Sequence, residues 1–144
     1  MLIGKCHCIA DEEGWLTIPY KFRAELADDV VVTRGIDPCL VVYPAAEWQK
    51  LATKMEHQLP LTSKSARAFN RLVFSGARAE ALGEEGRILL PQALREYAGI
   101  GNQAVVVGLF SHLEIWSPAG WDGMRSNSEK NGAALAEELA AFGI

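Results

Sequence analysis

Apolar and polar residues alternate with a period of two at the start of the chain, which predicts a β-strand over residues 3–10. An acidic stretch containing a glycine, residues 11–14, predicts a turn, after which the chain returns as a second strand. Pro19 fits the first turn of a helix, because a proline there loses no hydrogen bond. Phe22 and Leu26 are one helical turn apart and are expected on the buried face of that helix.

A hairpin and two longer helices are predicted next. Residues 30–33 and 39–43 are apolar and rich in β-branched side chains, which is typical of two paired strands. A helix follows over 45–58, and a second helix over about 63–75 has Thr62 or Ser63 as its capping residue. The side chains of this second helix that are expected to face inward are Ala66, Phe69, Leu72 and Val73.

A pattern of thirteen residues occurs twice in the chain. Residues 11–23 (DEEGWLTIPYKFR) are echoed 72 positions later by residues 83–95 (GEEGRILLPQALR), with Glu-Glu-Gly, Pro and Arg in register. Two copies of one unit indicate two halves packed about an approximate two-fold axis. The turns of the two copies should therefore lie on one shared face.

The repeat continues beyond this pattern. Residues 32–35 resemble 105–108, and residues 40–48 resemble 113–121, both at an offset of 73. Each copy thus predicts a strand, a turn, a second strand, a short helix, a hairpin and a helix that carries a tryptophan.

One copy alone offers strands that are too few and too short to bury a core well. Interleaving the hairpins of both copies into one barrel also removes exposed strand edges. The expected fold class is therefore β-rich α+β, a tandem duplicated, pseudo-dimeric β-barrel with peripheral helices. We expect the chain to comprise a first repeat (3–48), connecting helices (49–75), a second repeat (77–121) and a C-terminal tail with a short helix (122–144).

The net charge of −4 at pH 7 argues mildly against nonspecific attraction to nucleic acid. The charge is uneven, since residues 50–80 carry six cations and two acids, a balance of +4. This stretch predicts either a solvated helical face or a surface for an acidic partner, such as phosphates or a neighbouring subunit. Three cysteines, the absence of a signal peptide pattern and the lack of a long apolar run predict a cytoplasmic protein without a membrane segment.

No combination of residues predicts an enzyme, a cofactor or a metal site. The sequence lacks a phosphate-binding loop and a nucleophile motif. Cys6 and Cys8 point to one side of a strand and His7 to the other, so the three cannot close on one metal ion. We expect these thiols to be buried or half-buried, Cys39 to lie in the core, and His112 to lie on the surface.

The doubled signature Asp-x-x-Gly-Arg-apolar-x-x-Pro-x-x-x-Arg, each time followed by a hairpin and a Trp-bearing helix, resembles the MraZ family of bacterial transcriptional regulators. The resemblance covers residues 1 to about 125. It implies a fold similar to the AbrB and MazE DNA-binding proteins, a double-split, swapped-hairpin β-barrel. It also implies a ring of subunits that binds short tandem DNA repeats upstream of the division and cell-wall gene cluster, so that each contact favours the next.

The chain departs from the family pattern, in which the first motif reads Asp-x-Lys-Gly-Arg. Glu13 and Trp15 stand where that motif has Lys and Arg, whereas the second copy has Gly83 and Glu85 but keeps Arg87. Tryptophan cannot replace the arginine fork, which discriminates guanine by ~1–3 kcal/mol. The second copy is therefore expected to bind DNA, and the first to bind it weakly or not at all.

The resulting candidate DNA-binding residues are Arg87, Gly86, Glu85, Lys21, Trp15 and Gly14. The alternative for Arg87 is a surface ion pair with Glu84 or Glu85, and the alternative for Trp15 is packing or a subunit contact. The residues expected to have structural roles are Asp11, Arg23, Arg95, Pro19 and Pro91. Arg23 and Arg95 should hold the acidic turns in place, with phosphate contact as the alternative.

The predicted function is a DNA-binding regulator, a repressor of the division and cell-wall gene cluster, that acts as a ring on tandem promoter repeats. Its predicted partners are double-stranded DNA and further copies of the chain, and its expected location is the cytoplasm, at the nucleoid. The alternative is a diverged ring-forming scaffold or partner protein that has lost specific DNA binding.

Overall fold

The computed structural model describes residues 1–26 and 29–144. The first repeat contains β1 (Lys5–Ile9), β2 (Trp15–Thr17), α1 (Tyr20–Leu26), β3 (Asp29–Arg34), β4 (Leu40–Pro44) and α2 (Ala45–Gln58), followed by α3 (Lys64–Ser75). The second repeat contains β5 (Arg78–Ala81), β6 (Arg87–Leu89), α4 (Gln92–Ala98), β7 (Gln103–Gly108), β8 (Leu113–Trp116) and α5 (Pro118–Lys130), followed by α6 (Gly132–Leu139) and a 3₁₀ turn (Ala140–Phe142). Both repeats have the same element order, as the duplicated sequence predicts.

The strands form two antiparallel sheets in the described part of the chain. The larger has six strands in the order β1-β7-β8-β4-β3-β5, and the smaller contains β2 and β6. β4 of the first repeat pairs with β8 of the second at the centre of the larger sheet. With six α-helices within residues 1–26 and 29–144, the protein has a mixed α+β fold.

The first two strands of each repeat pair with strands of the other repeat. β1 pairs with β7, placing Cys6 opposite Val106, and β5 pairs with β3, placing Glu80 opposite Val30. β2 pairs with β6 in the same way. Each repeat therefore depends on the other to complete its hydrogen-bonded ladders, since an unpaired strand leaves a row of free N–H and C=O groups.

The strand register corrects one correspondence made from the sequence. At an offset of 73, Gly35 would match Gly108. In the structure, Gly108 pairs with Leu113 in the β7–β8 hairpin, and Arg34 pairs with Leu40 in the β3–β4 hairpin. Gly108 therefore corresponds to Arg34, so β3 and β7 match at an offset of 74. The hairpin loop of the first repeat is one residue longer than that of the second. The sequence comparison did not show this because the runs of valine in β3 and β7 align equally well at either offset.

The hydrophobic core draws on both repeats. Phe22 and Leu26 of α1 are buried, as predicted, and Leu94 and Ala98 of α4 occupy the equivalent positions. Fully burying one such large side chain stabilises the fold by ~1.5–3 kcal/mol. The core cluster also contains Leu16, Ile18, Val30, Val32, Leu40, Val42, Ile88, Leu90, Val106, Leu113 and Ile115.

The two prolines lie just before their helices, which corrects the prediction that they occupy the first turn. Pro91 has an extended backbone (φ −56°, ψ 148°) and α4 begins at the next residue. Pro19 likewise precedes Tyr20, the first residue of α1. Their fixed φ still suits a chain that enters a helix from a strand.

Helix α3 begins as the capping pattern predicts, because the Ser63 hydroxyl accepts a hydrogen bond from the Ala66 N–H at 3.2 Å. Val73 is buried against the sheet. Phe69 and Leu72 lie on the same side of the helix but are 38% and 50% exposed, so the inward-facing side of α3 is only partly covered. Periodicity identifies the apolar face of a helix but not what covers it.

The predicted helix over 45–58 is confirmed as α2. The C-terminal region is more helical than expected, because α5 continues through the polar residues 126–130. Its start is capped by the Ser117 hydroxyl, which accepts from the Gly120 N–H at 2.9 Å. Only Asn131 separates α5 from α6 along the chain.

Candidate nucleic-acid interface

The turn of the first repeat is held by the carboxylate of Asp11. Its Oδ1 accepts hydrogen bonds from the backbone N–H groups of Glu13 at 3.0 Å and Trp15 at 2.9 Å. Gly83 occupies the equivalent position in the second repeat and has no side chain to do this. The second turn is closed by a longer backbone bond, from the Gly86 N–H to the Gly83 carbonyl at 3.4 Å.

Gly14 and Gly86 bind each turn to the other repeat. Both are buried with positive φ (99° and 66°), a conformation that glycine adopts at little cost. The Gly14 carbonyl accepts from the Leu90 N–H at 2.8 Å, and the Gly86 carbonyl accepts from the Ile18 N–H at 2.8 Å. This reciprocal pair of bonds places the two turns about the β2–β6 ribbon, as the predicted two-fold relation requires.

Two arginines lie against these glycines, each across the repeat boundary. The Arg23 Nε–H donates to the Ile18 carbonyl at 2.9 Å, and the Arg95 Nε–H donates to the Leu90 carbonyl at 2.8 Å. A Cβ atom on Gly14 would lie 2.7 Å from Arg95 Nε, and a Cβ on Gly86 would overlap the Arg23 guanidinium.

Arg95 also reaches the backbone of the acidic turn in the first repeat. Its terminal N–H lies 3.4 Å from the Glu13 carbonyl oxygen. Arg95 thus contacts the turn of the first repeat, and Arg23 lies against Gly86 in the turn of the second. Both guanidinium groups donate to backbone carbonyl oxygens, which carry no net charge. The positive charges of the two arginines are therefore not neutralised by these hydrogen bonds.

The β2–β6 ribbon buries one face and exposes the other. Leu16 and Ile88 pair at its centre and are fully buried. Trp15 and Arg87 lie at equivalent positions of the two repeats on the outer face, with the Arg87 Cζ 5.2 Å from the centroid of the Trp15 ring. A cation over an indole face at an exposed site contributes ~0.5–1 kcal/mol.

Arg87 also forms the ion pair that the sequence offered as an alternative. Its Nε lies 3.0 Å from Glu85 Oε2, with the two side chains 45% and 75% exposed. Pairs this exposed contribute little, ~0–1 kcal/mol, and are screened by salt. A phosphate or a guanine edge can therefore displace Glu85, whereas Trp15 keeps the arginine extended over the ribbon.

The acidic residues Glu12, Glu13, Glu84 and Glu85 are all exposed on the two turns. Their carboxylates reduce the positive potential around Arg87. Trp15 lies beside Arg87 on the outer face, so the two repeats present an indole and a cation at equivalent positions of this surface.

Lys21 is exposed and its Nζ donates to the Lys5 carbonyl at 3.2 Å, with the ammonium 5.0 Å from the Phe22 ring centroid. Sequence reasoning missed Tyr20, which is 84% exposed and whose ring lies 5.8 Å from the Arg23 Cζ. The sequence feature that could have identified Tyr20 is an aromatic residue directly after Pro19. The equivalent residue in the second repeat is Gln92.

The thiols lie where the strand alternation places them. Cys6 and Cys8 are half-buried against the core, while His7 is exposed on the opposite face of β1. Burial raises the pKa of the Cys8 thiol to about 11, with smaller contributions from Cys6. Cys39 is fully buried, as predicted, and burial raises the pKa of its thiol too. Both groups remain protonated near neutral pH.

His112 is half-buried, which corrects its assignment to the surface. Its ring lies 5.3 Å from the Tyr43 ring, and its Nδ1 lies 3.0 Å from the Ser111 hydroxyl. Across residues 1–26 and 29–144, no group of three or more His, Cys, Asp or Glu side chains is arranged to hold a metal ion.

Comparison with known proteins identifies the family. A family model described as MraZ protein, putative antitoxin-like, matches the chain twice, over residues 1–72 and 73–142. Transcriptional regulator MraZ of Herpetosiphon aurantiacus is 46% identical over 100% of both chains. The proteins of the same name from Roseiflexus castenholzii and Halothermothrix orenii are 43% identical over 97% of each chain and 42% identical over 100% of each chain, respectively. The chain belongs to the MraZ family.

The resemblance stated from the doubled motif is thereby confirmed, and the two MraZ matches coincide with the two structural repeats. The MraZ relatives are named as transcriptional regulators. MraZ is a family of regulators and not of enzymes, in agreement with the prediction from the sequence. Among the helices of the described ranges, none combines the length and the apolar character needed to cross a membrane.

Proposed function

We propose that the protein is a DNA-binding transcriptional regulator that represses the division and cell-wall gene cluster. The observation that carries this proposal is the outer face of the β2–β6 ribbon, where Arg87 extends over Trp15 between two turns of the same design. A two-stranded ribbon fits the major groove of DNA, and an arginine fork matches the acceptors of guanine. The relatives are named as transcriptional regulators, which supports a regulatory role.

The two motifs contribute unequally to this proposed interface. Arg87 makes the base or phosphate contact, Lys21 contacts phosphate, and Gly14 and Gly86 shape the turns. Trp15 supports Arg87 by stacking rather than by binding DNA itself. Asp11, Arg23 and Arg95 hold the turns in place.

We also propose that the two repeats, 3–48 and 77–121, form a double-split, swapped-hairpin barrel, with the segments 49–75 and 122–144 outside it. The pairing of β1 with β7 and of β5 with β3 supports this arrangement.

One strong cation per chain gives a weak contact, so assembly has to supply affinity. We propose that copies of the chain form a ring whose subunits bind successive repeats in the promoter. Each bound repeat raises the local concentration of the next, and the combined affinity exceeds that of a single site by orders of magnitude. The many phosphate contacts make binding fall steeply with salt. This mode of action places the protein in the cytoplasm, at the nucleoid.

The decisive experiment is a fluorescence anisotropy titration of the promoter of its own gene cluster with wild type and with Arg87→Ala. One lost bidentate contact costs ~1–3 kcal/mol, which is about a 5- to 150-fold loss of affinity for each bound subunit. Arg125→Ala is a matched control. Arg125 is 41% exposed and paired with Glu129 at 3.0 Å, compared with 45% exposure and a 3.0 Å pair for Arg87.

We expect Arg87→Ala to weaken promoter binding and Arg125→Ala to leave it unchanged. Equal losses in both variants would mean that general positive charge, and not this site, drives binding. Equal affinity of wild type and Arg87→Ala would exclude Arg87 as the DNA contact.

The alternative function, a ring-forming scaffold that has lost specific DNA binding, is favoured by one observation. Glu13 and Trp15 occupy the positions where the family motif has cations, and the two turns expose four acidic residues, one of which, Glu85, pairs with Arg87. A wild-type protein that assembles but does not bind the promoter even at low salt would support this alternative.

A further inference from the structure

Glu80 on β5 is an acidic residue that points into the protein. It lies opposite Val30 of β3, and paired residues of antiparallel strands share one face of the sheet, so Glu80 shares the core face with the buried Val30. Its side chain is only 6% exposed. Burying a carboxylate is costly unless its oxygens are bonded. A carboxylate at this position therefore needs an explanation beyond packing.

The carboxylate of Glu80 binds the backbone of β6, the strand that carries Arg87. Its Oε1 accepts a hydrogen bond from the Leu89 N–H at 2.7 Å, and bonds to a charged acceptor are stronger than those between neutral groups. The next residue, Leu90, donates its N–H to Gly14 of the first repeat, so the Leu89 N–H points to the opposite edge of β6. Glu80 thus fixes the edge of β6 that faces away from β2.

The second oxygen of Glu80 adds nothing to the stability of the fold. Oε2 is buried and has no hydrogen-bond partner among residues 1–26 and 29–144. The Arg78 Nε lies 3.7 Å from Oε1 in a side chain that is 48% exposed, so this ion pair is weak. Burial raises the pKa of the Glu80 carboxyl, although the Leu89 N–H and Arg78 act to lower it. A buried group that is only half satisfied is typical of a functional site rather than of a purely structural one.

The first repeat holds its ribbon strand in a different way. Cys8 lies 72 positions before Glu80 and is its equivalent in the strand register. Two residues after Cys8, Ala10 forms a β-bridge with Leu16, so β2 contacts the backbone of its own repeat directly. In the second repeat the bond to β6 comes from the side chain of Glu80. The acid therefore occurs in the repeat that keeps Arg87, and the repeat that lacks the arginine also lacks the acid.

We infer that Glu80 is a positioning residue for Arg87. Its carboxylate fixes the edge of β6, and β6 in turn holds the Arg87 guanidinium 5.2 Å from the centroid of the Trp15 ring. Arg87 and Leu89 are the two ends of a three-residue strand, so a shift at Leu89 moves Arg87 as well. Binding groups have to be held within about 0.5 Å of their working geometry, so such a shift costs affinity. The inference rests on the proposed function and adds a residue on which Arg87 depends without touching DNA.

Glu80→Gln and Glu80→Met form a matched pair of variants. Both remove the negative charge and keep the length of the side chain, but only glutamine keeps an oxygen that can accept from the Leu89 N–H. Any general effect of charge on DNA binding is therefore the same in both variants. Methionine suits the buried site, because an apolar residue of similar volume commonly replaces a buried charge without loss of stability.

Hydrogen–deuterium exchange at the Leu89 amide tests the anchor in the absence of DNA. We expect slow exchange in the wild type and in Glu80→Gln, and about tenfold faster exchange in Glu80→Met, because one hydrogen bond is lost. The Thr17 amide on β2 is the internal reference and should exchange at the same rate in all three proteins. Circular dichroism checks that each variant is folded. Equal exchange at Leu89 in Glu80→Met and Glu80→Gln overturns the inference.

Anisotropy titration of the promoter tests the link from Glu80 to Arg87. We expect Glu80→Gln to retain the affinity of the wild type and Glu80→Met to weaken it about fivefold or more. Adding Glu80→Met to Arg87→Ala should cause no further loss, because the residue that it positions is already absent. Equal affinity of Glu80→Met and Glu80→Gln overturns the inference. A further loss in the Arg87→Ala background also overturns it, since Glu80 would then act on the fold in general.

Failure of the proposed function gives a different result. A wild type that does not bind the promoter overturns DNA binding through Arg87, and with it the role of Glu80 in affinity. Exchange at Leu89 then decides by itself whether Glu80 anchors β6.

Discussion

Arg23 and Arg95 connect the repeats at the scale of single residues. Each donates to a carbonyl at the end of a strand in its own repeat and lies over the glycine of the other repeat. Gly14 and Gly86 are therefore required for two separate reasons. Their backbones have positive φ, and a side chain would occupy the space of the arginine.

Gly86→Ala should lower the free energy of unfolding by ~2–4 kcal/mol. The left-handed conformation costs ~1–2 kcal/mol for a non-glycine residue, and displacing Arg23 weakens its charge-assisted hydrogen bond to Ile18. Gly83→Ala is the control, since Gly83 has the same backbone (φ 68°) but open space around its Cβ position. Urea denaturation should show a loss of only ~1 kcal/mol for Gly83→Ala. Equal losses would mean that Arg23 contributes nothing at this turn.

Glu13→Lys combined with Trp15→Arg should raise affinity for the promoter about tenfold or more. The pair restores the two cations of the first motif, and each good arginine contact is worth ~1–3 kcal/mol, which exceeds the ~0.5–1 kcal/mol lost when the Trp15 ring is removed from beside Arg87. Anisotropy at fixed salt measures the change, with Glu129→Lys on α5 as a control for positive charge added outside the ribbon. A similar gain in the control would indicate nonspecific attraction alone.

Local spacing made the ion pair of Arg87 with Glu85 predictable, because the two residues are two positions apart at the start of β6. The stacking of Arg87 on Trp15 was not predictable in this way. Those residues are 72 positions apart and meet only through the register of β2 with β6. His112 was missed for a similar reason, since Tyr43, which covers it, belongs to the other repeat.

At the scale of elements, the periodicity of α3 correctly predicted a helix and its apolar face. It did not predict that Phe69 and Leu72 remain half-exposed, because burial depends on what lies opposite the helix. α3 is fixed to the sheet by Val73 and by the hydrogen bond from the buried Thr33 hydroxyl to the Val73 carbonyl. That bond satisfies a carbonyl near the end of the helix.

Thr33→Val should lower the free energy of unfolding by ~1–3 kcal/mol. Valine keeps the shape but removes the donor, which leaves the Val73 carbonyl buried without this partner. Thr17→Val is the control, since Thr17 is exposed on β2. Urea denaturation compares the two, and a loss in Thr17→Val as large as that in Thr33→Val would mean that the buried hydrogen bond has no net effect.

At the scale of the whole molecule, the doubled motif was enough to predict two repeats with the same order of elements. The reciprocal bonds from Leu90 to Gly14 and from Ile18 to Gly86 agree with that arrangement. The order of the six-stranded sheet required more than the motif. Strand pairing is set by contacts far apart in sequence, and a run such as 104–107 pairs equally well in more than one register.

The exchange of strands predicts how the chain behaves when it is cut between α3 and β5. A fragment of residues 1–76 contains β1 without β7, β2 without β6, β3 without β5 and β4 without β8, so four ladders lack their partners. We expect this fragment, and the fragment 77–144, to lack cooperative unfolding as monomers. Mixing them in equal amounts should restore the circular dichroism of the intact chain in a one-to-one complex. A monomeric 1–76 fragment that unfolds cooperatively would mean that each half completes its own sheet, contrary to the pairing of β1 with β7.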